Sequence, residues 1–190
     1  MKIVSYETKV VALPREEGPL TGGMGNKAEF VVIKINTDQG LTGISYAGFA
    51  SHLMLAALHQ AIVSMLDTVV GMDPRRVEMI NTYLRDLAGG GAPAGLVTRS
   101  ISAIDVALWD LKGKHAEEPI YRLLGGYRST VPSYASGYLW RNYDLKQLES
   151  TSHRLVSEGF KAMKFRMGGE DSKAKELERV RVMRETVGEE

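Results

Sequence analysis

Two basic residues separated by a single residue, Lys164 and Arg166, have the types and spacing best suited to chemistry in this sequence. If residues 159–168 form a β-strand, their side chains alternate between its two faces. One face then carries Ala162 and both cations. The other face carries three large apolar side chains: Met163, Phe165 and Met167. Buried cations are costly unless they are paired or meet an anionic ligand, so the pair indicates a site that handles an anion. A half-exposed strand with solvated basic residues is the open alternative.

The elements that must position this pair follow Gly125 and Gly126. The pattern there predicts strand, helix, strand and helix over residues 130–137, 144–158, 160–167 and 171–187. The last helix is expected to bury an apolar stripe: Ala174, Leu177, Val180 and either Met183 or Arg184. This order is typical of the opening of a parallel sheet or barrel. Two such units cannot close an eight-stranded barrel, which takes roughly 200 residues or more. We therefore expect the chain to be the N-terminal part of a longer protein, with an open strand edge that makes it aggregation-prone alone.

The preceding residues predict a different architecture. The strands are expected at residues 2–13, 28–36 and 41–47, and the helices at 52–70, from about 74, and 96–115. Asp73 is the predicted N-cap of the second helix, with Pro74 at its first position. An antiparallel meander followed by helices is an α+β domain, predicted over residues 1–124, and residues 125–190 form a second, incomplete domain.

Composition excludes several classes of protein. The chain has 190 residues, no cysteine and a net charge of +1. Disulfides and zinc–thiolate sites are therefore excluded, and without a basic block nothing indicates nucleic-acid binding. No apolar run is long enough to cross a bilayer, and the first residues lack the apolar core of a signal peptide. We expect a cytoplasmic protein without a membrane partner.

Two runs carry a family resemblance. Residues 102–114 (SAIDVALWDLKGK) and 119–126 (PIYRLLGG) resemble the signature of the mandelate racemase/muconate lactonizing enzyme family of the enolase superfamily. The resemblance implies an α+β capping domain followed by the first βα units of a (β/α) TIM-type barrel. It also implies abstraction of the proton α to a carboxylate, with Mg²⁺ and basic residues stabilising the enediolate. Asp105 and Asp110 lie within the signature and are expected to be structural.

The resemblance assigns catalytic roles to the basic pair. Lys164 matches the first lysine of the family's Lys-x-Lys motif, which contacts the substrate carboxylate. Arg166 stands where the family usually has the lysine that acts as base. Guanidinium is a poor base near neutrality, so Arg166 is expected to clamp the substrate or stabilise the enediolate. The family's acidic metal ligands and opposite-face base are expected beyond Glu190. No residue of this chain is therefore assigned to the metal, and Mg²⁺ is expected in the full-length protein.

Four further residues are predicted to bind substrate: Ser136, Tyr134, Met24 and Phe49. Ser136 and Tyr134 alternate onto one face near the end of the first barrel strand, where a family hydroxyl often touches the substrate carboxylate. A strand-end hydroxyl bonded to backbone is the alternative. Met24 lies in a glycine-rich segment that matches the family's capping loop, and Phe49 in one that matches a second specificity loop. A plain solvent loop and a packing aromatic are the alternatives.

The predicted activity is that of an acid-sugar dehydratase, because an arginine at position 166 makes two-base racemisation less favourable. Racemase or epimerase, cycloisomerase and a non-catalytic truncated module remain open. The expected partner is a small carboxylate or acid-sugar substrate. The full-length protein is expected to be a homo-oligomer, and the 190 residues alone are expected to be inactive.

Overall fold

The structure, a computed structural model, describes residues 1–14, 27–48, 52–91 and 94–188. The described residues form two compact units. The first unit comprises Met1–Pro14 and Lys27–Tyr127, and the second comprises residues 128–188. The predicted domain division at residues 124 and 125 stays a proposal.

The first unit contains a three-stranded antiparallel sheet in the order β1-β2-β3. Its strands are β1 (Ile3–Pro14), β2 (Lys27–Thr37) and β3 (Thr42–Ala47), which confirms the predicted meander. Residues alternate along β2, so that Val31, Ile33 and Ile35 are fully buried in the core. Gly40 allows the tight turn between β2 and β3, because its φ of +75° is a conformation that other residues rarely adopt.

Helices follow this sheet along the chain, of which the first and third pack against the sheet and the second and fourth pack against the third. They are α1 (His52–Val69), α2 (Val77–Ala88), α3 (Gly95–Ala116) and α4 (Ile120–Leu123), with a 3-10 turn at Gly89–Gly91. The central helix α3 buries a stripe at helical spacing: Ile101, Ile104, Leu108 and Leu111. Gly43 of β3 allows a close approach to α3, since a Cβ there would lie 2.2 Å from the carbonyl oxygen of Ala107. None of the helices in the described ranges is long and apolar enough to cross a membrane.

The predicted start of α2 is wrong. The helix begins at Val77, and its N-cap is Arg76, not Asp73. The carboxylate of Asp73 instead accepts hydrogen bonds from the backbone N–H and the guanidinium of Arg75. The Arg75 side chain lowers the pKa of Asp73 to about 2. The bonds to Arg75 hold residues 74–76 in a turn, which delays the helix by one turn.

The second unit contains α5 (Leu145–Ser157) and α6 (Lys173–Val187). The side chains of Asp144 and Gln147 form a capping box at the start of α5. The predicted strands at 130–137 and 160–167 do not form as regular strands; among the described residues the two segments share a single parallel bridge, Ala135 to Met163. The pairing is interrupted at Gly137 and Leu139, whose positive φ angles depart from strand geometry, and it continues in one hydrogen bond from the N–H of Arg166 to the carbonyl of Leu139.

The buried face of α6 also differs from the predicted stripe. Leu177 and Val180 are 57% and 38% exposed, whereas Met183 is buried and Arg179 is 1% exposed. Met183 joins a core with Ala135, Leu139, Leu148 and Leu155. The face of α6 that packs in this unit thus includes an arginine, which apolar periodicity alone does not reveal.

Candidate functional site

The parallel bridge fixes which side chains share a face in the second unit. Ala135 donates its N–H to the carbonyl of Ala162 at 2.9 Å, and Lys164 donates its N–H to the carbonyl of Ala135 at 2.9 Å. Ala135 is buried in the core, and Met163 and Phe165 pack against the same core. Their neighbours Ser136 and Lys164 therefore point to the opposite face, because side chains alternate along extended backbone.

We call the surface formed by Tyr134, Ser136, Lys164 and Arg166 the basic face. Tyr134, Ser136 and Lys164 are exposed, and Arg166 is half-buried. The structure thus places these four predicted site residues on one side of two paired segments. Met167 departs from the predicted alternation, since it is 43% exposed and lies outside the core.

The side chain of Arg166 lies over an aromatic ring that the sequence pattern did not single out. Its guanidinium carbon is 4.0 Å from the centroid of the Trp140 ring. The indole N–H of Trp140 donates to the carbonyl of Gly137 at 2.6 Å, and the N–H of Arg166 donates to the carbonyl of Leu139 at 3.0 Å. Trp140 follows the first predicted strand by only three residues, and this closeness is the sequence feature that could have indicated its place beside the site.

Glu176 holds the loop that follows Arg166 and Met167. One of its carboxylate oxygens accepts the backbone N–H groups of Gly168, Gly169 and Glu170 at 2.8, 2.8 and 2.9 Å. The N–H of Glu170, with those of Gly168 and Gly169, lowers the pKa of Glu176 below its usual value. This residue was not predicted either. The sequence feature that could have indicated Glu176 is an acidic residue in the first turn of a helix that follows two glycines.

Arg179 ties the same loop to the turn before α5. Its guanidinium donates to the carbonyls of Tyr143 and Trp140, the latter at 3.0 Å, and forms an ion pair with Glu170 at 3.2 Å. It also lies over the ring of Phe165, 5.6 Å from the centroid. A buried guanidinium is tolerated because these acceptors replace water. The segments that carry Trp140 and Glu170 are therefore held by one residue.

The remaining predicted residues are placed elsewhere. Met24 and Phe49 lie outside the described residues. Asp110 accepts from the N–H of Ile44 at 2.8 Å and from Lys114 at 2.6 Å, and Asp105 accepts from Asn81 at 3.0 Å. Both aspartates thus make structural bonds within the first unit.

The described residues contain no group of three or more His, Asp or Glu side chains arranged to hold a metal ion. A Mg²⁺ ion prefers six oxygen ligands in near-octahedral geometry. The described part of the chain therefore does not fit a magnesium site by itself.

The signature runs and the fold agree with the comparison to known families. A family model described as "Mandelate racemase / muconate lactonizing enzyme, N-terminal domain" matches residues 5–125. The chain belongs to the mandelate racemase/muconate lactonizing enzyme family. The predicted resemblance is confirmed, and so is the predicted fold class, a capping domain followed by the start of a (β/α) barrel.

Relatives within the mandelate racemase/muconate lactonizing enzyme family include enzymes of two kinds. A 3,6-anhydro-alpha-L-galactonate cycloisomerase of Streptomyces coelicolor is 32% identical over 182 residues, which is 94% of this chain and 49% of the relative. A D-mannonate dehydratase of Novosphingobium aromaticivorans is 38% identical over 141 residues, or 73% of this chain and 34% of the relative.

A solved structure shows the same fold in this family. The structure of a racemase from Streptomyces coelicolor A3(2) with bound magnesium superposes with a TM-score of 0.87 and 28% identity. The alignment covers 98% of this chain and 52% of that one. The chain thus spans about half the length, or less, of the relatives that it matches.

Proposed function

We propose that the full-length protein is an acid-sugar dehydratase and that this chain supplies the groups that hold the substrate carboxylate. The observation that supports the proposal is the bridge between Ala135 and Met163, from which the alternation of side chains puts Ser136, Lys164 and Arg166 on one side. The D-mannonate dehydratase among the relatives supports an acid-sugar substrate.

The proposed reaction removes water from a carboxylate that bears hydroxyls on its α and β carbons. The α C–H bond breaks and its proton passes to a base, while the β C–O bond breaks and the hydroxyl leaves as water with one proton. The resulting enol tautomerises to a 2-keto-3-deoxy acid. In this proposal Arg166 is not the base, because guanidinium stays protonated, and the base is supplied by another part of the full-length protein, as the family resemblance implies.

Each residue of the basic face has a role in this proposal. The ammonium group of Lys164 pairs with the substrate carboxylate, and the guanidinium of Arg166 clamps an oxygen of the substrate. The hydroxyls of Ser136 and Tyr134 donate hydrogen bonds to the same ligand. The family resemblance assigns Met24 to the capping loop and Phe49 to a second specificity loop.

The proposal includes Mg²⁺ in the full-length protein, because a family structure was solved with bound magnesium. When bound, the ion supplies a positive charge that stabilises a developing oxyanion. Since the described residues do not fit a magnesium site, its ligands come from elsewhere in the protein.

Turnover of defined substrates tests the proposal. The full-length protein with Mg²⁺ is incubated with a panel of aldonic and aldaric acids, and ¹H NMR follows the products. We expect a 2-keto-3-deoxy acid from at least one substrate, activity lost after treatment with EDTA, and recovery on adding Mg²⁺. Chelator-resistant turnover would contradict the metal requirement, and no turnover of any acid would favour the non-catalytic module.

Cycloisomerisation is the second candidate. It is favoured by the cycloisomerase relative, which aligns with 94% of this chain. An anhydro acid sugar in the same NMR panel separates the two, since a cycloisomerase forms a product of unchanged composition and releases no water. Epimerisation would appear in the panel as a changed configuration at the α carbon without loss of the β hydroxyl.

The proposal also includes a cytoplasmic location and a homo-oligomeric full-length protein. Size-exclusion chromatography with light scattering checks the oligomeric state, and fractionation of cells that express the protein checks the location.

A further inference from the structure

Trp140 is the contact that holds the side chain of Arg166. The guanidinium lies 4.0 Å from the ring centroid and forms no hydrogen bond or ion pair with another residue of the part that the structure describes. A cation over an indole face is attracted by the negative charge of that face. A contact with an aromatic face is made without using the N–H groups of the guanidinium as hydrogen-bond donors to an oxygen.

Three features hold Trp140 itself. Its indole N–H is bonded to the carbonyl of Gly137, and its own carbonyl accepts from the buried guanidinium of Arg179. The residue before it, Leu139, is fully buried and has a φ of +55°. A non-glycine residue persists in that conformation only where its surroundings enforce it, and such residues cluster at functional sites. These contacts restrain the position of the ring beside Arg166.

We infer that Trp140 is a positioning residue that aims the guanidinium of Arg166 at an oxygen of the substrate. This inference deepens the proposed function and rests on it. It accounts for arginine at position 166, because the flat guanidinium can lie on an aromatic face and still present a fork of donors to an anion, whereas an ammonium cannot do both as well.

NMR of the full-length protein labelled with ¹⁵N-arginine tests the contact without any need for activity. The ring current of an indole moves resonances of protons above its face upfield. We expect an upfield Nε–H signal that disappears in Arg166→Lys, which assigns it. The signal should stay upfield in Trp140→Phe and move downfield in Trp140→Leu. A wild-type Arg166 signal at an ordinary shift, or one that Trp140→Leu leaves in place, would overturn the inference.

Tyr138→Leu is the matched control, because the Tyr138 ring lies under a different guanidinium, that of Arg154, at 4.9 Å. This variant should leave the Arg166 signal unmoved. Thermal unfolding and circular dichroism establish that each variant is folded. If Trp140→Leu does not fold, the wild-type and Trp140→Phe signals still decide whether the guanidinium lies over the ring.

Kinetics then test the positioning role. Trp140→Leu should raise KM for the acid sugar by about 2- to 30-fold, the range expected for loss of one cation–π contact, with kcat less affected. Trp140→Phe should recover most of the loss, and Tyr138→Leu should match the wild type. Equal KM values for wild type and Trp140→Leu would overturn the role. If no acid sugar is turned over, the proposed function fails, and the NMR signal alone decides the contact.

Discussion

At the scale of single residues, the type of side chain at position 166 decides whether it can bind the substrate as a clamp or remove a proton as a base. Arginine keeps its charge at any ordinary pH, whereas a lysine with a lowered pKa can accept a proton. Arg166 lies over Trp140 and on the same face as Lys164, an arrangement that suits a group binding an oxygen of the substrate. The side chain at this position should therefore affect substrate binding more than proton transfer.

Arg166→Lys tests this distinction in the full-length enzyme. Lysine cannot form the two-pronged contact, so we expect KM for the acid sugar to rise about 10-fold or more, with the same product. Steady-state kinetics measure the loss, and ¹H NMR in D₂O measures exchange of the α proton. Faster exchange in the variant than in the wild type would show that this position can host a base and would contradict the clamp.

At the scale of elements, α6 stabilises the loop after Arg166 through its first turn. The carboxylate of Glu176 accepts three successive backbone N–H groups, and these donors lower its pKa. A group whose pKa is lowered by folding stabilises the folded state above its unfolded pKa, and this stabilisation is lost as the pH falls through the folded pKa. The loop at residues 168–170 should therefore loosen in acid.

Glu176→Gln removes the charge but keeps the shape of the side chain. At pH 7 we expect faster amide hydrogen exchange at residues 168–170 in the variant, because a neutral amide accepts hydrogen bonds more weakly than a carboxylate. The difference from wild type should shrink as the pH falls through the lowered pKa of Glu176, where the wild-type carboxylate also becomes protonated. Glu178→Gln, on an exposed part of the same helix, is the control. A difference that persists unchanged at every pH down to acid unfolding of the protein would contradict the role of the charge.

Sequence patterns predicted these elements where a local rule governs the outcome. The alternation of Met163, Lys164 and Phe165 predicted which side chains face the core, and the meander of the first unit follows the period of two in β2. Sequence patterns failed where contacts between residues distant in sequence decide which side chains are buried. Arg179 can be buried because carbonyls from a separate turn accept hydrogen bonds from its guanidinium. The periodicity of the sequence carries no information on such acceptors.

The same reason limits prediction of the site. Lys164 and Arg166 were identified from their spacing and from a family motif, because both lie on one extended segment. Trp140 comes from the preceding segment, and its place under the guanidinium depends on the turn at Gly137 and Leu139. A leucine gives no indication of a positive φ such as the +55° at Leu139. The turn and the position of the ring could therefore not be predicted from the sequence.

At the scale of the whole molecule, the described residues contain some of the groups that the proposed reaction needs and lack others. The described residues supply cations and hydroxyls on the basic face but hold no group of three acidic or histidine side chains suited to a metal. In the proposed function, the residues that bind the carboxylate and those that bind Mg²⁺ come from different stretches of the full-length protein. Substitutions in the two stretches should have separable effects.

Lys164→Ala in the full-length enzyme tests this separation. Loss of one preorganised cation should lower kcat/KM by on the order of 10²-fold or more. The affinity for Mg²⁺, measured by calorimetry without substrate, should be equal or higher, because the lysine is not a ligand and its positive charge can only repel the ion. Lys161→Ala, an exposed lysine three residues earlier, should change neither quantity. Full activity in Lys164→Ala would show that the basic face does not bind substrate. Mg²⁺ binding weakened tenfold by that variant would show that the metal and carboxylate sites share this segment.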